Sequence, residues 1–297
     1  MHMTRFSQIV CTVATACLLS ACGTTGTVPI TGRKQHLLVN DEQVLSLSNQ
    51  QYQEYMKSAK LSSNAANTAM VRRVGQRLAN AVVSYLNANG LGNEVAQYKW
   101  EFNLVQDQNV NAFCMPGGKI VVYEGLLPVT RDEASLAIVL GHEIAHAVAR
   151  HSAERLSNSV RQQYGSQLLG AVLTGSGASA DLQQLGAAAF GIGSKLGGAA
   201  YSRKQESEAD HLGIVFAAMA GYDPMVALDF WKRMSAATGN SYSLLSDHPS
   251  DAARIKNIQG WMAEARSYYK VNGNQNAVGT VRKTEGMKTI HFSSKRK

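Results

Sequence analysis

The sequence predicts a mainly helical α+β domain with one small sheet. Apolar residues recur at helical spacing through most of the chain, and strand-like alternation is confined to a stretch between Trp100 and Tyr123. The run His142-Glu143-Ile144-Ala145-His146 lies inside one of the more apolar helical segments, directly after that stretch. At 297 residues and 45% hydrophobic residues, the chain can bury a sizeable core in one large domain or two small ones.

The first segment does not count toward that core. Arg5 precedes an apolar stretch over 9–19, followed by Leu19-Ser20-Ala21-Cys22. This resembles a bacterial lipoprotein signal covering 1–21, with Cys22 as the lipidated residue. The apolar stretch is short for a bilayer span. Gly23, where an Asp would signal retention, implies by the same resemblance the outer membrane of a Gram-negative host. Cys11 and Cys17 leave with the signal, so Cys114 is the remaining thiol and no internal disulfide is expected. Its apolar strand predicts burial. Residues 22–40 read as a lipidated N-terminus and flexible Gly/Thr linker.

Helices are predicted over 41–57 and 65–87, the second carrying Val71, Val74, Leu78, Val82 and Leu86 and stopping at Asn89-Gly90. Strands are predicted over 100–106, 111–115 and 119–123, with Pro116-Gly117-Gly118 as the turn. They are expected to form a small antiparallel sheet packed beside the next helix. An exposed strand edge there would suit an extended peptide. That helix is predicted over 132–151, opened by a Thr130 cap with Glu133 three residues later. Residues 157–200 are rich in Gly and Ala and read as a flap, either a lid over a site or a surface facing membrane or partner. Helices follow over 203–219, 224–237 and 250–269, and 272–297 reads as a basic, disordered tail. The net charge of +8 is concentrated in that tail, so it does not indicate nucleic-acid binding.

On a helix, His142 and His146 lie one above the other, so both imidazoles can hold one Zn²⁺. Glu143 is then placed as general base toward a water. A catalytic zinc needs a third protein ligand. Glu206 and Asp210 share a helix face, while Glu208 points away. Glu206 as ligand and Asp210 as hydrogen-bond partner of an imidazole N–H is the economical arrangement.

These features, in order, carry a family resemblance. The blocks are Pro29-Ile30-Thr31-Gly32-Arg33, Asn111-Ala112-Phe113 with Pro116-Gly117-Gly118, the His142–His146 motif, Ser202-Arg203 through Glu206 to Asp210, and His248-Pro249 with Arg254-Ile255. The chain resembles the HtpX-like and CAAX-prenyl-protease-like zinc metallopeptidases, in particular their periplasmic lipoprotein branch, without room after Tyr269 for a tetratricopeptide-repeat domain. The resemblance implies a zincin-like domain over 41–271 and one zinc per chain on His142, His146 and Glu206, with Glu143 as the base. It also implies substrate contacts near Asn111, Ala112 and Phe113, and a regulatory fourth ligand or oxyanion stabiliser in His248. Arg254 is a candidate for substrate or carboxylate pairing, whereas His151 and His211 read as structural or exposed. The expected activity is endopeptidase cleavage of misfolded or unassembled envelope proteins. The expected partners are extended polypeptides, the membrane through Cys22, and outer-membrane assembly machinery. A non-proteolytic chaperone using the same cleft is the alternative.

Overall fold

The computed structural model describes residues 24–164, 201–236 and 252–273, together with the short pairing of Thr280–Val281 with Ile290–His291. The signal segment, Cys22, residues 165–200 of the flap, and His248 lie outside the described residues. The chain runs through β1 (Thr24–Thr27), β2 (Lys34–Leu37), α1 (Asp41–Ser58), α2 (Ala65–Ala88), α3 (Gly92–Val95), β3 (Glu101–Val105), β4 (Ala112–Met115) and β5 (Lys119–Tyr123). It continues with α4 (Leu127–Thr130), α5 (Glu133–Val148), α6 (His151–Tyr164), α7 (Arg203–Met219), α8 (Val226–Ala236) and α9 (Ala252–Gly273).

The three-stranded sheet is mixed, not antiparallel as the sequence predicts. Its order is β3-β5-β4, with β3 parallel to β5 and β4 antiparallel to β5. The reason is the placement of β5, whose five residues are all buried. A strand covered on both faces belongs in the centre, and the connection after β3 carries the chain past that position before β4 forms. The β4–β5 turn needs left-handed backbone at two successive residues, supplied by Gly117 (φ 88) and Gly118 (φ 84).

The sheet divides two apolar clusters. Phe102, Leu104, Ala112, Cys114, Ile120 and Val122 face α2, α5 and α7 in the larger one. Val105, Met115, Val121 and Tyr123 face β2, α1 and α6 in the smaller one. Phe216 and Phe230 are fully buried in the large cluster, worth roughly 1.5–3 kcal/mol each. Residues 24–40, predicted as a flexible linker, are instead folded. Thr24 pairs with Leu37 and Thr27 with Lys34, and Val28, Leu37 and Val39 are buried. In β2 Gln35 and Leu37 point inward while Lys34 and His36 stay exposed, the alternation of a strand that covers one face of a core.

Helix α5 is the centre of the molecule. Nearly all of it, from Ser135 to Val148, is buried, which fits a helix apolar on every side. Its cap is Asp132, not Thr130. Arg131 takes a left-handed φ of 69, which breaks the chain after α4 and leaves the Asp132 carboxylate to accept from the Ser135 N–H at 2.6 Å. The helix also ends earlier than predicted, at Val148. Gln35 Nε2 donates to the Ala149 carbonyl at 2.6 Å, and Arg150 is held at φ 54 with its guanidinium near Asp41 and Glu94. No Gly or Pro marks this break in the sequence; tertiary partners impose it.

Among the described residues, α7 packs on α5 more extensively than any other pair of elements. The crossing is at two glycines: a Cβ on Gly213 would lie 2.7 Å from His142 N, and one on Gly141 would lie 2.6 Å from Gly213 O. That approach brings the acidic face of α7 to the histidines of α5.

Candidate metal centre

The i, i+4 spacing on α5 sets His142 and His146 on one face, with Nε2 atoms 3.0 Å apart. From α7, Glu206 brings Oε2 to 3.3 Å from His142 Nε2 and Oε1 to 3.4 Å from His146 Nε2. All three side chains are buried, and their ligand atoms lie within 4.8 Å of one another. Zinc bonds of about 2.0–2.1 Å in a tetrahedral arrangement set ligand atoms about 3.3–3.4 Å apart, so this donor set fits the ion.

Each imidazole reaches the centre through Nε2 because its Nδ1 is engaged elsewhere. His142 Nδ1 donates to Asp210 Oδ1 at 2.9 Å. Asp210 in turn accepts from Arg254 Nη2 at 2.5 Å, and the Arg254 guanidinium lies 3.4 Å over the Trp231 ring. This is the carboxylate–histidine support that orients a ligand, as the spacing of Glu206 and Asp210 predicts. Arg254 is 5% exposed. Of its two predicted uses, carboxylate pairing is the one seen.

His146 is supported differently. Its Nδ1 lies 2.9 Å from Nδ1 of His151, whose Nε2 lies 3.0 Å from Glu208 Oε2. Glu208 also accepts from Thr31 Oγ1 at 2.6 Å and from Arg33 Nε at 2.7 Å. Arg33 makes a two-armed bond to Glu154 at 2.7 and 3.0 Å, and Gln205 donates to the same carboxylate at 2.9 Å. Tyr201 stacks on the His146 ring at 3.9 Å, and Arg155 lies over Tyr201.

Burial and the neighbouring hydrogen-bond and charge partners compete to set the pKa of these groups. Burial opposes a charged His142, but Asp210 and Glu206 outweigh it and lift its pKa to about 9. At His146 burial prevails and holds the pKa well below the ordinary value. Burial also disfavours ionised Glu208, yet His151, Thr31 and Arg33 bring its pKa down to about 2. Glu143 is 3% exposed and follows His142 directly on α5. Cys114 is a buried free thiol, pushed up by burial and by the nearby Glu143 charge.

The remaining predicted residues are placed less uniformly. Ala112 is buried in the core, and Phe113 packs edge-on to Tyr55 and Tyr123, so their side chains are structural. Asn111 Oδ1 caps the Ala112 N–H at 2.8 Å. Among the described residues, β4 is an edge strand with a strand neighbour on one side. His211 is structural, stacked on Trp261 and 2.7 Å from Glu264. His151 is buried beside the centre, not exposed, and Glu208 does not point to solvent. Sequence reasoning missed both because the His146–His151 spacing is not a same-face helical spacing. The signal available was the Thr31-Gly32-Arg33 block, which had no assigned purpose.

The model of peptidase family M48 matches residues 65–262. Mitochondrial metalloendopeptidase OMA1 of Schizosaccharomyces pombe is 34% identical over 246 residues, covering 80% of this chain and 67% of that protein. Human mitochondrial OMA1 is 31% identical over 247 residues, covering 80% of this chain and 46% of that one. Metalloprotease LoiP of Escherichia coli is 29% identical over 231 residues, covering 76% and 82%. The chain spans half of the Saccharomyces cerevisiae OMA1 (50%). Relatives named as mitochondrial thus stand beside the bacterial type that the motifs resemble. Among the described residues, no helix is long and apolar enough to cross a membrane. With His142, His146 and Glu206 converging as a metal site beside Glu143, and the family matched across two thirds of the chain, the protein belongs to peptidase family M48, the zinc-dependent metallopeptidases.

Proposed function

We propose that this metallopeptidase is an endopeptidase of the bacterial cell envelope that cleaves extended segments of misfolded or unassembled envelope proteins. The observation that carries the peptidase reading is the convergence of His142, His146 and Glu206 beside a buried Glu143 on the same helix. His142, His146 and Glu206 would hold the zinc. When bound, the ion supplies Lewis-acid polarisation and makes a water acidic near neutral pH. Glu143 removes the proton of the attacking water and delivers it to the leaving amine nitrogen. Asp210 and Arg254 keep the His142 ring in place through this cycle. An extended substrate adds beside the edge of β4, held by main-chain hydrogen bonds, which suits unfolded segments of varied sequence.

The envelope location rests on the signal-like segment ending at Cys22 and on the likeness to LoiP. A lipid at Cys22 holds the domain on the outer membrane facing the periplasm, within reach of the assembly machinery there. His248 belongs to the same reading as a regulatory ligand, on the strength of the motif resemblance alone.

Glu143→Gln is the direct test. Full-length variant and wild type are compared for zinc content and for cleavage of an unfolded protein such as casein. The expected result is one zinc in each and cleavage by the wild type only. Cleavage retained by the variant sinks the mechanism, and a wild type that loads zinc but never cleaves favours the chaperone alternative.

A further inference from the structure

The His146 side of the centre makes a demand that the three ligands do not explain. A neutral imidazole has one N–H donor and one lone-pair acceptor. Two Nδ1 atoms at 2.9 Å can bond only if one carries the proton and the other does not. Glu208, as a carboxylate, accepts only, so the His151 Nε2 facing it at 3.0 Å carries the proton. A His146 that offers Nε2 to the centre carries its own proton on Nδ1, so the facing nitrogen of His151 must accept. His151 Nδ1 is then the acceptor, His146 Nδ1 is the donor, and the His146 lone pair is left on Nε2. That is the atom facing Glu206.

The outer end of this chain of bonds is anchored by residues far away in sequence. Thr31 and Arg33 both bond Glu208, and Arg33 also bonds Glu154 of α6. Gln35 bonds Ala149 at the break before α6, and so sets where His151 begins its helix. Thr31, Arg33 and Gln35 lie outside the span 65–262 that the family model matches.

We propose that His151 is a positioning residue of the metal centre, and that Thr31 and Arg33, acting through Glu208, make the N-terminal hairpin part of that centre. The hairpin's function is to fix the tautomer and orientation of His146. The inference rests on the metal-site reading above, and its test reads zinc affinity, not cleavage.

Full-length His151→Leu, His151→Asn and Arg33→Met are prepared beside the wild type. Zinc affinity is measured by competition with a chromophoric chelator, and the visible spectrum is recorded after Co²⁺ substitution. Loss of a support behind a ligating histidine weakens metal binding by about 10–100-fold. His151→Leu is expected in that range, with an altered Co²⁺ spectrum. His151→Asn is expected closer to wild type, since its amide oxygen can take the place of Nδ1 as acceptor. Arg33→Met is expected to weaken binding in the same direction from a site outside the pocket, and it decides the matter if His151→Leu does not fold. Wild-type affinity and spectrum in both His151→Leu and Arg33→Met would overturn the inference. Equal losses in the Leu and Asn variants would also overturn it, by showing a packing role only. A wild type that binds no zinc overturns the metal-site reading itself, a result distinct from either.

Discussion

The two histidines of the centre sit one helical turn apart, yet they are held in unlike ways. His142 gives its N–H straight to Asp210, a neighbour on the same helix face as Glu206, and the buried Arg254 closes that arrangement. His146 gives its N–H to a second imidazole, and the charge that ends the chain lies on Glu208, held by the N-terminal hairpin. The first support is short, charged and built from neighbouring helices. The second is longer, passes through a neutral ring, and depends on a segment more than a hundred positions away in sequence. A metal site can therefore be rigid on one side by local helix spacing and on the other only by long-range closure of the fold.

The largest effect is expected on the His142 side. Asp210→Ala removes the 2.5 Å partner of the buried Arg254 and leaves Glu206 Oε2 at 4.0 Å, and breaking such a buried pair costs up to about 3–5 kcal/mol. Urea denaturation of the zinc-free variant measures this. A loss no larger than that of a surface substitution would mean that Asp210 is not what holds Arg254 in place.

An intermediate effect is expected on the other side, and it depends on pH. Burial opposes an ionised Glu154, but its bonds to Arg33 and Gln205 outweigh this and hold its folded pKa below 4.5. A carboxylate depressed in the folded state stabilises above its unfolded pKa, and that contribution is lost as pH falls through the folded value. Wild-type stability should therefore decline on acidification below about pH 4.5, and Glu154→Gln should flatten that limb while lowering stability at neutral pH. Thermal melts across pH 2–7 check this; parallel limbs would remove Glu154 from the relay's anchor.

The smallest effect is expected at Tyr201. Tyr201→Phe keeps the ring stacked on His146 and loses the 2.9 Å bond between the hydroxyl and Ser152. Stability should fall by about 0.5–1.5 kcal/mol with zinc affinity unchanged. A drop in affinity comparable to that of His151→Leu would place the Tyr201 hydroxyl in the support of His146.

Much of this was legible from the sequence. The spacing of His142 and His146 and of Glu206 and Asp210 specified two helix faces, and a 3.6-residue period converts such spacing into position without further information. Helix α7 was predicted with its observed bounds, Arg203–Met219, and in the structure Ser202 and Gln205 form its capping box. The strands were legible as alternation, but not the parallel pairing of β3 with β5, since period two says nothing of which strand takes the centre.

By itself, the sequence determined most of the long helices and which residues share a face of each, including the His142/His146 and Glu206/Asp210 pairs. Local spacing suffices for those, because helix geometry is fixed by the backbone. Only the tertiary structure decided where α5 ends, why α5 and α7 meet at Gly141 and Gly213, and that His151, Glu208 and the hairpin stand behind His146. Those follow from contacts between distant segments, and a hydrogen bond from Gln35 to Ala149 leaves no periodic trace in the chain that makes it.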